Sequence, residues 1–251
     1  MLRWGQNRWS APAPKQQHLL LLCPPYSGST LLHELLSSST EVSPNNVFGT
    51  REGMSLASVR QLIDYRQEWK QDYPYPWEAI KQQWAKYWQQ SKAILLDKSP
   101  AMIYRAELAE AVFQPVYFIA LVRNPYALAE GLMRRNKLSA NEAAQFVVEL
   151  LQAQKRNLST LKKVQLVHYE ALVTAPEEVC QSLQNFLPLL GELNYRKTFK
   201  AHNQDGRPMP LTDFNERSLK RLNSDQLSEL NHVLERHADI LSYFGYSLKT
   251  A

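Results

Sequence analysis

The sequence predicts a single α/β domain in which helices cover both faces of a central parallel sheet, giving a three-layer α/β/α fold. Strand-like and helix-like segments alternate along most of the chain, which favours parallel strands joined by helical crossovers. The strand segments are short and nearly continuous apolar runs, as expected of strands that are buried on both faces. A length of 251 residues fits one such domain better than two.

The first elements follow an amino-terminal arm. Residues 1–17 contain prolines and many polar side chains, so we predict an extended arm there. The apolar run at 19–23 ends at Pro24 and Pro25 and predicts an interior strand. A helix is predicted to follow and to end near Ser39.

The middle of the chain is richer in aromatic residues. A polar loop at 40–52 leads to residues 56–90, which are rich in Gln, Trp and Tyr and are predicted to be helical. Four of the six tryptophans lie within 65–88. Packing against the sheet is the favoured role for them, and a ligand pocket or lid is the alternative. Residues 93–96 predict the next strand and 102–113 the next helix.

The second half continues the alternation. Pro125 is well placed to open a helix directly after a strand. The predicted strands lie at 115–122 and 164–168, the predicted helices at 125–136, 140–161, 176–187 and 224–241, and an irregular basic loop at 202–217.

Composition and charge limit the classes of protein. A net charge of +5 favours anionic partners, but the basic residues are scattered and form no nucleic-acid-binding pattern, so no nucleic acid partner is expected. No stretch approaches the roughly 18 apolar residues that span a bilayer, and no signal peptide is recognised, so a cytoplasmic location is expected. Cys23 and Cys180 have no metal-ligand spacing and are predicted to be small core residues.

The most informative stretch is the junction after the first strand. Gly28 permits a tight turn, and Ser29 and Thr30 offer hydroxyls where a helix amino end exposes unpaired N–H groups. The junction is therefore predicted to bind phosphate or sulfate. Its spacing differs from the nucleoside triphosphatase P-loop, and no lysine precedes Ser29 or Thr30, which disfavours a magnesium-dependent kinase or ATPase.

Further basic residues follow two other predicted strands, at the edge where open α/β sheets bind ligands. Arg123 comes directly after a strand, and Arg134 and Arg135 lie about three turns along the next helix. Such arginines suit phosphate recognition, and a solvated basic helix end is the alternative. Lys98 ends another strand, where it either faces solvent or neutralises a leaving group.

Together the motifs at these strand ends resemble those of the sulfotransferase family whose donor is 3′-phosphoadenosine 5′-phosphosulfate (PAPS). Residues 25–32 resemble its 5′-phosphosulfate loop, residues 122–126 the start of its 3′-phosphate motif, and residues 98–100 a lysine-containing turn of the bacterial and tyrosylprotein members. Three later segments are similar to the Tyr-Glu-Asp-Leu element, a late bacterial loop and a Phe-Gly-Tyr ending, at residues 168–172, 215–221 and 241–246.

The resemblance implies a P-loop-like fold, PAPS as donor, adenosine 3′,5′-bisphosphate as product and no metal. It assigns donor binding to residues on the matching motifs, with Arg221 as an alternative in the late loop. These residues are Tyr26, Ser27, Gly28, Ser29, Thr30, Leu31, Arg123, Arg135, Tyr169, Ser218 and Lys220.

Two positions depart from the family pattern. Many members carry Lys or Arg where this chain has Tyr26, so some positive charge must come from elsewhere. Gly131 replaces a serine that bonds the 3′-phosphate, so that contact is absent or made by the backbone. Arg135 matches an arginine of the tyrosylprotein branch, which favours it over Arg134.

The resemblance also implies in-line attack of an acceptor hydroxyl or amine on sulfur. Lys98 is predicted to stabilise the bridging oxygen as a point charge. Glu52 is predicted to be the general base that takes the acceptor proton. An exposed carboxylate or an ion pair with Arg51 is the alternative for Glu52, and Glu41 is the fallback base.

The acceptor and two other function classes stay open. A small-molecule acceptor is expected, and residues 53–92 are an aromatic-rich insertion or an acceptor-side cap. A catalytically inactive nucleotide-binding homologue is one alternative, because Tyr26 and Gly131 depart from the family. A magnesium-dependent phosphotransferase is the other, and it would use Asp97 beside Lys98. The oligomeric state is not predicted.

Overall fold

The structure is a computed structural model that describes residues 16–200 and 208–249. Most of the predicted arm, residues 1–15, lies outside the described residues, as does the 202–207 part of the predicted basic loop. Gln17 belongs to the first strand rather than to an arm. The fold is therefore described from Gln16 onward.

A central sheet of five parallel strands confirms the predicted fold class. The strands are β1 (Gln17–Leu22), β2 (Val42–Pro44), β3 (Ile94–Lys98), β4 (Val116–Val122) and β5 (Val164–His168). Their order is β2-β3-β1-β4-β5, with β1 paired to β3 on one side and β4 on the other. The order reverses direction at β1, and a crevice for ligands is expected at the carboxyl ends of strands around such a point.

Helices flank the sheet. They are α1 (Ser29–Leu36), α2 (Ala57–Arg60), α3 (Trp77–Trp84), α4 (Ala106–Val112), α5 (Pro125–Asn136), α6 (Ala140–Thr160), α7 (Tyr169–Thr174), α8 (Pro176–Phe186), α9 (Asn215–Leu219), α10 (Ser224–Leu234) and α11 (Ala238–Tyr243). A short antiparallel pair, β6 (Phe199–Lys200) and β7 (Pro208–Met209), precedes α9. Among the described residues, no helix combines the length and apolar character needed to cross a membrane.

The core lies on both faces of the sheet. Along β1 the side chains of Leu19 and Leu21 pack into one apolar cluster, and those of Leu20 and Leu22 into the other. This alternation follows from the period of two in a strand and explains why every position of the run is apolar. Cys23 and Cys180 are buried, unpaired core residues, as predicted.

The predicted helix at 56–90 is wrong. Only α2 and α3 form within it, besides a 3-10 turn at Tyr65–Gln67. Pro74 and Pro76 explain the break, because proline lacks an N–H donor and disfavours helical geometry in the residue before it. The predicted polar loop at 40–52 likewise contains the edge strand β2.

Three tryptophans of this segment have the favoured packing role. Trp77, Trp84 and Trp88 are buried in the cluster that covers one face of the sheet, and Trp77 and Trp84 pack against the ring of Phe113. The fourth, Trp69, is only half-buried and lines the cavity described below.

Other boundaries shift by a few residues. Helix α5 and strand β5 have the predicted bounds. The predicted helix at 102–113 instead begins as a 3-10 turn, Pro100–Tyr104, which precedes α4. The predicted helix at 224–241 is divided into α10 and α11 by a second 3-10 turn. Strand β3 runs to Lys98, which fixes the position of that side chain.

Candidate functional site

One cavity of about 730 Å³ lies at the carboxyl ends of β1, β3 and β4. It is lined by most of the residues that the sequence singled out, which come from widely separated parts of the chain. Those lining it are Tyr26, Gly28, Ser29, Thr30, Leu31, Glu52, Lys98, Arg123, Arg135, Tyr169 and Ser218.

The amino end of α1 forms one wall of this cavity. Gly28 precedes the helix with φ +88°, and a Cβ there would lie 2.5 Å from the Tyr169 ring, so glycine is required both for its backbone conformation and for the space. Among the described residues, no side chain caps this end of α1. Its first N–H groups, together with the hydroxyls of Ser29 and Thr30, are therefore available to an anion.

Ser27 has a different place from the one predicted. Its side chain is completely buried, and its hydroxyl donates to the Pro24 carbonyl oxygen at 2.7 Å. Ser27 therefore braces the turn and does not line the cavity. The sequence could not reveal that the Ser27 side chain points into the interior, because its neighbours Gly28 and Ser29 do line the cavity.

Arg123 is held at the end of β4 by three contacts. Its Nε donates to Asn215 Oδ1 at 2.8 Å, and its Nη1 donates to the Tyr26 carbonyl oxygen at 2.7 Å. The guanidinium carbon lies 4.3 Å from the centre of the Tyr169 ring. The remaining nitrogen, Nη2, is buried without a hydrogen-bond partner among the described residues, although Arg123 lines the cavity.

Glu170 connects Arg123 to the end of the chain. Its Oε1 accepts from the Asn124 backbone N–H at 2.9 Å and from Asn215 Nδ2 at 2.8 Å, and its Oε2 accepts from the Tyr246 hydroxyl at 3.0 Å. Since Asn215 in turn accepts from Arg123, these bonds fix the direction of the guanidinium. Sequence reasoning missed Glu170 and Asn215 as site residues, although both lie in motifs that it had recognised.

Lys98 and Glu52 form an ion pair at the cavity. Lys98 Nζ lies 3.3 Å from Glu52 Oε1, with the lysine side chain 2% exposed and the glutamate side chain 25% exposed. The lysine is thus almost fully enclosed, whereas the carboxylate reaches the open part of the cavity. The structure brings together the two residues that were predicted to perform the chemistry.

The end of β3 also holds the loop that carries Glu52. Asp97 Oδ1 accepts from the Gly53 backbone N–H at 3.0 Å and from Asn45 Nδ2 at 2.8 Å. Ser99 Oγ accepts from the Met54 backbone N–H at 3.1 Å. Burial raises the pKa of Asp97 to about 7, and the hydrogen bonds offset this only in part. Asp97 does not line the cavity.

The arginines at the end of α5 differ in their partners. Arg134 Nε lies 2.6 Å from Glu130 Oε1, so its charge is already paired, and Arg221 Nη1 lies 3.3 Å from the same oxygen. Arg135 lines the cavity and takes part in no ion pair that the described residues form with one another. This favours Arg135 over Arg134 as an anion ligand.

The late loop is only partly placed at the cavity. Ser218 is buried and lines it, as do Arg217 and Arg221. Lys220 does not, because its side chain is 73% exposed and forms an ion pair with Glu216 at 2.5 Å, one turn away on the outer side of α9. The predicted donor contact of Lys220 is therefore not supported by its position. The fallback base Glu41 also lies outside the cavity lining.

Comparisons with known proteins identify the family and the fold. Residues 19–190 match the family model described as the sulfotransferase family. Among solved structures, the sulfotransferase domain of the Synechococcus PCC 7002 olefin synthase is 21% identical, with 96% of this chain and 100% of that chain covered and a TM-score of 0.52. The sulfotransferase domain from the curacin biosynthetic pathway is 19% identical, with 95% and 100% covered and a TM-score of 0.52.

A third solved structure, the sulfotransferase from Alicyclobacillus acidocaldarius, is 14% identical, with 95% of this chain and 98% of that chain covered and a TM-score of 0.55. A search of curated proteins found no match. At these identities the solved structures show the fold alone, and they confirm the P-loop-like, three-layer α/β/α architecture. The family match itself spans most of the chain and includes the strand ends that carry Gly28, Lys98 and Arg123. The chain therefore belongs to the sulfotransferase family.

Proposed function

We propose that the protein transfers a sulfuryl group from PAPS to a hydroxyl or amine of a small-molecule acceptor and releases adenosine 3′,5′-bisphosphate. The observation that carries the proposal is the pairing of two anion-binding features in one cavity. One is the amino end of α1, which no side chain of residues 16–200 or 208–249 caps, and the other is the buried Nη2 of Arg123, which has no hydrogen-bond partner within the same ranges. Together they are complementary to a ligand with two separate anionic groups, as PAPS has.

The donor contacts follow from this placement. The first turn of α1, with Ser29 and Thr30, would hold the phosphosulfate group, and Arg123 with Arg135 would hold the 3′-phosphate. Ser218 is close enough to the cavity to contribute a hydroxyl. Lys220 and the Ser27 hydroxyl are left out of this assignment because they point elsewhere.

Lys98 and Glu52 would perform the chemistry. The acceptor oxygen forms a bond to sulfur while the bond from sulfur to the bridging phosphate oxygen breaks, and the electron pair stays on that oxygen. Lys98 would stabilise the charge that develops there, and Glu52 would accept the proton of the attacking hydroxyl. Their ion pair at 3.3 Å orients both groups in advance.

The position of Asp97 argues against a magnesium-dependent phosphotransferase. That alternative needs a carboxylate facing the phosphates, and Asp97 instead accepts hydrogen bonds from Asn45, Gly53 and Ser99 in the interior. The inactive nucleotide-binding homologue shares the donor site. It differs only in lacking turnover, so a transfer assay distinguishes it.

The test is calorimetric titration with adenosine 3′,5′-bisphosphate, with and without magnesium, beside ATP. We expect metal-independent binding that Arg123→Ala weakens by about 10- to 100-fold, the range for a lost hydrogen bond to a charged group. Arg156→Ala, at an exposed position on α6, is the matched control and should bind normally. Thermal unfolding of each variant verifies that it is folded.

Two results would contradict the proposal. Preference for magnesium-ATP would assign the cavity to phosphoryl transfer. Unchanged binding by Arg123→Ala would remove the arginine from the donor site. If the bisphosphate binds but labelled sulfate reaches no acceptor in a broad screen, the inactive homologue is the better description.

A further inference from the structure

We propose that the acceptor is a hydroxy compound that also carries a protonated amine, and that Glu68 binds this amine. The proposal rests on the proposed sulfotransferase function, because it concerns the part of the same cavity that the donor assignment leaves unused. This acceptor end is lined by Met54, Glu68, Trp69, Leu138 and Phe146.

Most of the acceptor end is an apolar wall. The Trp69 ring packs edge-on against Phe146, with ring centroids 5.2 Å apart, and against Tyr104, with centroids 6.1 Å apart. Contacts on two sides fix the indole, and Met54 and Leu138 are further apolar residues that line the same cavity. Such a wall suits an apolar or aromatic body of an acceptor, in a cavity that also carries a few polar groups.

Glu68 places a negative charge on this wall. Its side chain is half-buried and lies at the cavity beside Trp69. It takes part in none of the ion pairs within 4.0 Å that residues 16–200 and 208–249 form with one another. Burial, and then repulsion from Glu52, raise the pKa of Glu68 to about 6. The carboxylate is therefore desolvated without a close counter-charge.

The two cations that act on Glu68 at longer range have other partners. Arg105 donates to the carbonyl oxygens of Tyr73 and Ala101, at 2.7 and 2.9 Å, which hold it in the interior. Arg60 stacks over the Tyr65 ring, with its guanidinium carbon 4.4 Å from the ring centre. Neither forms an ion pair with Glu68 within 4.0 Å.

The missing counter-charge is what an acceptor ammonium would supply. It would pair with Glu68, and a position over the face of the Trp69 ring would favour the cation further. An anionic acceptor would instead meet the carboxylates of both Glu52 and Glu68. Among the arginines that line the cavity, Arg134 and Arg221 are paired with Glu130, and Arg123 and Arg135 are assigned to the donor.

The test compares matched acceptors that differ only in the amine. One pair is tyramine and 4-ethylphenol, and a second is 6-aminohexan-1-ol and heptan-1-ol. Transfer of labelled sulfate from PAPS is measured for the wild type, for Glu68→Gln and for the control Glu78→Gln, an exposed position on α3. Mass spectrometry locates the sulfate on oxygen or nitrogen.

We expect the wild type and Glu78→Gln to prefer the amine of each pair by about tenfold or more in kcat/KM, the range for one charge-assisted hydrogen bond. Glu68→Gln should lose that preference, because its kcat/KM falls more for the amines than for the neutral compounds. A preference for the neutral compounds, an amine preference that survives in Glu68→Gln, or transfer to neither pair would overturn the acceptor assignment. Calorimetry with adenosine 3′,5′-bisphosphate on the same preparations distinguishes failure of the acceptor assignment, in which the bisphosphate still binds, from failure of the donor site, in which it does not.

Discussion

Replacement of Asp97 by asparagine tests the electrostatics beneath the Lys98–Glu52 pair. Asp97 is fully buried, and its Oδ1 accepts from Asn45, Gly53 and Ser99. Its other oxygen, Oδ2, is buried without a hydrogen-bond partner among the described residues. An ionised carboxylate is therefore poorly solvated there, and burial raises its pKa from 3.8 to about 7. Asparagine has nearly the same shape and no charge at any pH.

The sign of the effect follows from proton binding. Between pH 3.8 and about 7 the folded protein keeps the Asp97 proton while the unfolded chain releases it. The stability contributed by the protonated carboxyl is complete below the unfolded pKa and is lost as the pH rises through the folded pKa. A pKa difference of one unit corresponds to about 1.4 kcal/mol. Between the unfolded and folded pKa values of Asp97, the free energy of unfolding therefore falls by about 4 kcal/mol. Between pH 4.5 and 7.5 the expected loss is about 3 kcal/mol.

The assay is urea unfolding of the wild type and Asp97→Asn at half-unit steps from pH 4.5 to 8. The other titrating groups are common to both proteins, so they cancel in the difference between the two free energies of unfolding. We expect the wild type to lose about 3 kcal/mol relative to the variant as the pH rises to 7.5. A difference that stays constant across this range would refute the reasoning, whatever its absolute size.

Three further predictions concern the cavity. Gly28→Ala should weaken binding of adenosine 3′,5′-bisphosphate at least about tenfold by calorimetry, because the new Cβ meets the Tyr169 ring at 2.5 Å at a position with φ +88°. Glu52→Gln should lower kcat about 100-fold or more with bisphosphate affinity retained, and equal kcat values would exclude it as the base. Gly131→Ala should destabilise the wild type by about 1 kcal/mol in urea unfolding, since crowding against Cβ and Cγ of Tyr26 exceeds the gain in helix propensity. The same substitution should be stabilising in a Tyr26→Gly background, because glycine at this position, where φ is +61°, removes both atoms.

Much of the fold could be predicted because it depends on local patterns. The buried strand β1 is a continuous apolar run, and α5 starts at a proline and ends after its basic turn, so both were recognisable. The region between α2 and α3 was not, because its glutamines favour a helix while two prolines oppose one. The edge strand β2 has only three residues, too few to show a period.

The candidate site also contains positions that local sequence patterns predict and positions that they do not. Strand ends fix where Lys98 and Arg123 leave the sheet, so these positions could be predicted from sequence alone. Side-chain direction within a loop depends on contacts with distant residues, which no local pattern reveals. For this reason Ser27 and Lys220 were placed in the site, and the bond from Asn215 to Arg123, 92 positions apart, was missed.

The two departures from the family pattern lie next to each other in the folded protein. A Cβ on Gly131 would lie 2.8 Å from Cβ and Cγ of Tyr26, so glycine at 131 leaves room for the side chain at 26. The Tyr26 hydroxyl then donates to Asn136 Oδ1, and its carbonyl oxygen accepts from Arg123 Nη1 at 2.7 Å.

Tyr26 thereby contacts Arg123 through its backbone carbonyl oxygen and brings no side-chain charge to the cavity. The positive charge that a lysine or arginine would bring at this position remains available from Arg123 and Arg135 in the same cavity. Because the two residues are in contact, the loss of a basic residue and the loss of a serine both affect the same corner of the cavity. The intact Lys98–Glu52 pair, which neither change touches, favours an enzyme over a binding protein.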